Sequence, residues 1–154
     1  MLKLILGNKN YSSWSLRPWL LLSVHNIEFE ETIIPLRTQQ TSETIKKQSK
    51  AGKVPILQDK EQTIWDSLAI MEYISDTYLN NKGWPENNSM RATARSVSAE
   101  MHAGFPNIRS MMPMNCRATN RNIEITEDLK KEIVRIDSLW TDLRKTHSNK
   151  GKWL

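Results

Sequence analysis

Two short runs of strand character, residues 2–6 and 29–36, enclose a single helical pattern. The first run is mostly apolar and stops at Gly7, as a buried strand would. The second is closed by Pro35. Between them Leu16, Trp19, Leu20, Val24 and Ile27 follow helical spacing. Ser15 is placed to cap that helix, and Pro18 falls in its first turn, where a missing N–H costs nothing. Strand, helix and strand in this order make a crossover unit whose two strands pair in parallel.

The pattern continues with a weak helix over 41–48, stopped at Ala51-Gly52. A strand over 53–59 has Pro55 at its mouth, an unusual place because proline cannot donate to a ladder. A hairpin turn at 59–61 leads to a strand over 62–65. Asp66-Ser67 then starts a helix with Leu68, Met71, Ile74 and Tyr78 on one face. Residues 81–88 form a polar linker containing Gly83 and Pro85. Beyond it the pattern is only helical. Ser89 is placed to cap a run of Met90, Ala94, Val97, Met101, Phe105 and Ile108, which Gly104 and Pro106 would bend. After a polar connection over 113–125, Thr126 caps a last helix with the stripe Leu129, Ile133, Ile136, Trp140 and Leu143. The chain stops on apolar Trp153 and Leu154. The order β-α-β-α-β-β-α, then helices, divides the chain into a domain at 1–80, a linker at 81–88 and a helical part at 89–154.

Composition removes several classes of function. With 154 residues, 38% hydrophobic and 25% charged, the chain suits a folded soluble protein. Folding at this size buries roughly 70% of the unfolded surface, so no disulfide or structural metal is required. The one cysteine, Cys116, cannot form an internal disulfide and has no base beside it, which fits a reducing compartment and argues against a thiol nucleophile. The longest apolar stretch, 19–22, is far short of the ~20 residues that span a bilayer. With no leader pattern, a cytoplasmic protein without a membrane partner is expected. Twenty-two Lys and Arg against 17 Asp and Glu give +5. These charges are dispersed; the tightest groups, Lys46-Lys47 with Lys50 and Lys53, and Lys145 with Lys150 and Lys152, suit a solvated basic face better than a nucleic-acid surface. His25, His102 and His147 are too scattered to hold a metal and read as surface or capping residues.

Three segments carry chemistry. Ser12-Ser13-Trp14-Ser15 lies between a strand and a helix start, where unpaired N–H groups and the positive dipole end favour an anion by ~0.3–1 kcal/mol. Its hydroxyls either cap the helix or donate to a thiolate or phosphate. Lys53-Val54-Pro55 presents an extended peptide with a partner for strand addition if the Val54–Pro55 bond is cis. Asp66-Ser67 is either a plain N-cap or a site where Ser67 takes a carboxylate and Asp66 an ammonium.

In succession these segments resemble the glutathione S-transferases. The stretches that carry the likeness are residues 10–17 (NYSSWSLR), 52–57 (GKVPIL) and 65–74 (WDSLAIMEYI), with 95–102 and 112–115 also similar to bacterial members. The first is closest to the serine-type, zeta-like branch that includes maleylacetoacetate isomerases, although that branch carries cysteine where Trp14 stands. The resemblance implies a thioredoxin-like α/β N-terminal domain and a partial all-α C-terminal domain, shortened relative to longer members and exposing Val97, Met101, Ile133 and Trp140. It implies glutathione as co-substrate and no metal. Ser12 would donate to the glutathione sulfur, with Ser13 as understudy. Val54, beside a cis Pro55, would pair with the cysteinyl unit. Ser67 would bind the γ-glutamyl carboxylate, Asp66 its ammonium and Lys53 the glycine carboxylate. Trp14, Met101, Phe105 and Met112 would line the pocket for a small electrophile. The implied activity is conjugation or isomerisation by a homodimer, as in detoxification; the alternative is a non-catalytic interaction module of the same fold. The energetics agree: a thiol pKa of about 8.5 falls by one unit for about 1.4 kcal/mol of preference for the anion, and one hydroxyl bond plus a helix end supplies roughly two units.

Overall fold

The computed structural model describes residues 1–147. Lys150, Lys152 and the apolar chain end therefore lie outside the described residues. The elements are β1 (Lys3–Leu6), α1 (Ser13–Val24), β2 (Glu30–Ile33), α2 (Thr41–Gln48), β3 (Ile56–Asp59), β4 (Gln62–Trp65), α3 (Ser67–Tyr78), α4 (Asn88–Ala103), α5 (Pro106–Met111) and α6 (Glu127–His147). Two compact units are present, Met1–His102 and the residues from Ala103 onward.

In the first unit the sheet order is β2-β1-β3-β4. β1 pairs in parallel with β2, as the crossover requires, and antiparallel with β3; β4 closes a hairpin on β3. β1 is apolar on both faces because both are covered. Leu4 and Leu6 join Leu22, Leu57, Ile70 and Ile74 on one side. Ile5 joins Ile34, Ile45 and Ile56 on the other. β2 is shorter than the run 29–36: Ile34 N–H still donates to the Leu6 carbonyl, but Pro35 has no N–H and Arg37 turns to φ 64°. β3 likewise begins only after Pro55.

Two helices bury faces other than the expected ones. Ser12, not Ser15, is the N-cap residue of α1. Ser15 lies in the first turn, fully buried, and its hydroxyl accepts the Gly7 N–H at 3.0 Å. This bond turns Ser15, Pro18 and Leu22 toward the sheet and leaves Leu20 and Val24 exposed. Pro18 therefore sits in the second turn rather than the first. In α3 the buried face is Ser67, Ile70, Ile74 and Ser75, whereas Leu68 and Met71 are half-buried and Tyr78 is partly exposed. Ser75 receives the linker: Gly83 N–H donates to its hydroxyl, and a Cβ on Gly83 would stand 2.6 Å from that oxygen.

The helices after the linker also depart from the expected pattern. Asn87 rather than Ser89 accepts the Met90 N–H at the start of α4. The long run does not bend but breaks: Phe105 adopts a left-handed conformation with φ 65°, and Pro106 opens α5. In the second unit Glu132 of α6 accepts the N–H groups of Asn107 and Ile108, serving the start of α5. Burial works against this carboxylate, yet those bonds hold it below its ordinary pKa. Thr126 accepts the Leu129 N–H, as expected of a cap. Val97, Met101 and Ile133 are half-buried; of the four residues expected to be exposed, only Trp140 is, at 52%.

Asp59 pins α3 to the hairpin. Tyr73 and Tyr78 both donate to its Oδ2, at 2.9 and 2.5 Å. The Tyr78 bond, helped by Tyr73 and opposed by burial, holds Asp59 below its ordinary value of 3.8. Burial and the facing carboxylate push Tyr78 up to about 12. A depressed acid stabilises the fold above its unfolded value, and that contribution is lost as pH falls through the folded value. The raised tyrosine contributes below its unfolded value and loses that contribution as pH climbs toward 12. Tyr78→Phe is expected to lower stability by about 1–3 kcal/mol at neutral pH and to flatten both the acid and the alkaline limbs of a urea-unfolding pH series. Limbs identical to those of the unaltered protein would show that Asp59 is not held this way.

Candidate functional site

The pairing register gathers three chain segments at one edge of the sheet. Ile5 lies opposite Ile56, and Ile56 opposite Trp65. The end of β1, the start of β3 and the end of β4 are thus neighbours, so the chain just beyond each forms a common wall. There a cleft of about 760 Å³ is lined by Ser12, Trp14, Lys53, Val54, Pro55, Asp66, Ser67 and His102, together with apolar residues from α2, the end of β4 and the loops.

The Ser12 wall depends on close packing. A Cβ on Gly7 would lie 2.6 Å from a Leu36 methyl and 3.1 Å from Ser12 Oγ, so a larger residue there would have to displace the Leu36 side chain and press on Ser12. Ser12 is 7% exposed, and its hydroxyl donates to Ser15 Oγ at 2.9 Å. Ser13 is the first residue of α1, half-buried and outside the cleft lining. Trp14 is held on two sides: the Arg17 guanidinium stacks over its ring at 4.3 Å, and His102 meets it edge-on at 5.1 Å.

Gly52, at φ 66°, turns the chain from α2 into the second wall. The Val54–Pro55 peptide is cis, as the resemblance implies. Pro55 is buried, Val54 half-buried and Lys53 exposed. Among the described residues the Val54 N–H and carbonyl have no backbone partner.

The third wall starts at Asp66, a non-glycine residue with φ 75°. Its Oδ1 accepts the N–H groups of Leu68 and Ala69, at 2.9 and 3.4 Å, so it does cap α3. Its Oδ2 lies 3.2 Å from His102 Nε2. Ser67 is fully buried, and its hydroxyl accepts from Arg17 at 3.5 Å. The same arginine nitrogen lies 3.4 Å from His102 Nδ1.

Two residues of this cluster escape a sequence reading. His102, expected at the surface or as a cap, stands in the cleft wall; Arg17 ties it to Ser67. Arg17 falls inside the first motif, but nothing local signals its reach to α3 and α4, and His102 is 36 positions from Asp66 (102 − 66). Of the four residues expected around an acceptor, Trp14 lines the cleft, Met101 is half-buried on α4 outside the lining, and Phe105 and Met112 belong to the second unit.

Comparison with known proteins agrees with this geometry. The family profile described as "Glutathione S-transferase, N-terminal domain" matches residues 11–77. A probable maleylacetoacetate isomerase of Caenorhabditis elegans is 29% identical over 100 residues, 65% of this chain and 47% of that protein. A dichloromethane dehalogenase of Methylophilus leisingeri is 39% identical over 62 residues, 39% of this chain and 23% of that protein. The chain thus spans about half the length, or less, of the curated relatives it matches. Among solved structures, a Burkholderia glutathione transferase homologue with bound glutathione is 25% identical with a TM-score of 0.58, over 71% of this chain and 57% of that one. A diazinon-metabolizing glutathione S-transferase of the silkworm, Bombyx mori, shares the fold, with a TM-score of 0.71 at 22% identity over 95% of this chain and 68% of that one. Residues 11–77 thus match the N-terminal domain of the glutathione S-transferases, and the fold, a thioredoxin-like domain followed by helices, is one that solved transferase structures share.

Proposed function

We propose that the cleft binds glutathione and that the protein uses it to conjugate or isomerise small electrophiles. The observation that carries this reading is the assembly of Ser12, Val54, Asp66 and Ser67, from three remote segments, around one cleft. In this reading residues 1–80 are the glutathione-binding domain and 89–154 a partial helical domain. Val54 pairs its unused backbone groups with the cysteinyl unit beside cis Pro55. Ser67, whose oxygen already accepts from Arg17, is left to donate its hydrogen to the γ-glutamyl carboxylate. Asp66 takes the ammonium, and Lys53 the glycine carboxylate. Ser12 rotates its hydroxyl from Ser15 to the sulfur and, with the α1 dipole, holds it as thiolate; Ser13 is the understudy. Trp14 forms the near wall of the acceptor pocket, with Met101 as a second contributor from the same unit. The protein acts as a cytoplasmic homodimer. Among the described residues no helix is long and apolar enough to cross a membrane.

One observation favours a second reading, a non-catalytic interaction module: the Ser12 hydrogen is already directed to Ser15. Saturable glutathione binding with no turnover of chlorodinitrobenzene or other electrophiles would select it.

Two measurements test the primary reading. In isothermal titration glutathione is expected to saturate the unaltered protein, and Ser67→Ala to weaken it about tenfold or more, the worth of a hydrogen bond to a charged group; no saturable binding by the folded protein would remove the reading. Ultraviolet titration of bound glutathione is expected to show Ser12→Ala raising the thiol pKa by about one unit or more. An unchanged value would clear Ser12 of the role.

A further inference from the structure

Asp66 is engaged from two directions. Oδ1 accepts two backbone N–H groups of α3, while Oδ2 faces His102 Nε2 at 3.2 Å. On the other side of the same ring, Nδ1 lies 3.4 Å from Arg17. A guanidinium only donates and a carboxylate only accepts. One state of the imidazole satisfies both neighbours: hydrogen on Nε2, donated to Asp66, and a lone pair on Nδ1, accepting from Arg17. The ring is held there by Trp14, whose indole it meets at an interplanar angle of 76°. A carboxylate offers about four lone-pair directions. Two N–H groups and His102 use three of them, which leaves one on a residue that lines the cleft.

We propose that His102 is a positioning residue for the ammonium end of the ligand: it orients the Asp66 carboxylate, through Oδ2, so that its remaining lone pair receives that group. This deepens the glutathione reading and rests on it. His102 itself does not touch the reacting sulfur in this account, and its contribution is confined to one end of the tripeptide. A structural role in packing Trp14 would instead affect every ligand alike.

The test compares glutathione with its des-amino analogue, glutaryl-cysteinyl-glycine, on the full chain by isothermal titration. For His102→Leu, glutathione affinity is expected to fall about tenfold while that of the analogue stays unchanged. His102→Gln, whose amide carries both a donor and an acceptor, restores most of the loss. Equal losses for both ligands, no loss for either, or a glutamine variant no better than leucine would overturn the role of His102 while glutathione binding by the unaltered protein stands. Unaltered protein that binds neither ligand overturns the glutathione reading and this role together. A measurement independent of variant folding is long-range ¹⁵N–¹H NMR of the unaltered protein: hydrogen on Nε2 of His102 supports the proposal, and hydrogen on Nδ1 contradicts it.

Discussion

The bond from the Gly7 N–H to the buried hydroxyl of Ser15 fixes where α1 begins relative to β1. It closes the passage between strand and helix, where Leu36 and Ser12 also crowd Gly7. Because Ser15 points inward, Pro18 and Leu22 follow on the same face, and Ser12 is brought to the helix start beside the cleft. A buried hydroxyl left without partners costs about 1–3 kcal/mol, so the position is self-enforcing: moving the helix by one residue would strand Ser15 and bury a different face. Ser12 completes the arrangement by donating to the same oxygen.

The sheet does for the other walls what Ser15 does for the first. Antiparallel pairing of β3 with β1 and β4 puts the start of one strand beside the ends of two others. Two helix starts, at Ser12 and Asp66, then border one cleft, each with N–H groups and dipole ends suited to negative charge. Arg17 links the two, since its side chain rises from α1 to Ser67 at the start of α3 and to His102 on α4. The same guanidinium stacks on Trp14, so the aromatic wall and the polar floor are positioned by one residue.

Much of this was legible in the residues, for identifiable reasons. The apolar run of β1, the proline at the mouth of β3 and the Asp-Ser start of α3 are local signals, and each was written where the structure has it. The helix faces were less legible, because counting apolar residues favours Leu20, Val24, Leu68 and Met71, whereas tertiary bonds draw Ser15, Ser67 and Ser75 inward. Phe105 shows another limit: a helical period ran through it, but Gly104 and Pro106 permit a left-handed break that the period could not locate. His102 was invisible because its partners Asp66 and Arg17 are distant in sequence and meet only when α1, α3 and α4 assemble.

The central claim is that one cleft, framed by Ser12, Val54 and Asp66-Ser67, grips glutathione with its sulfur at the start of α1. A crystal structure of the full chain with glutathione tests it most directly. The account predicts the sulfur within hydrogen-bond distance of Ser12 Oγ, the γ-glutamyl group on Asp66 and Ser67, and the cysteinyl backbone paired with Val54. Glutathione bound elsewhere, or in this cleft with its sulfur directed away from Ser12, would contradict it.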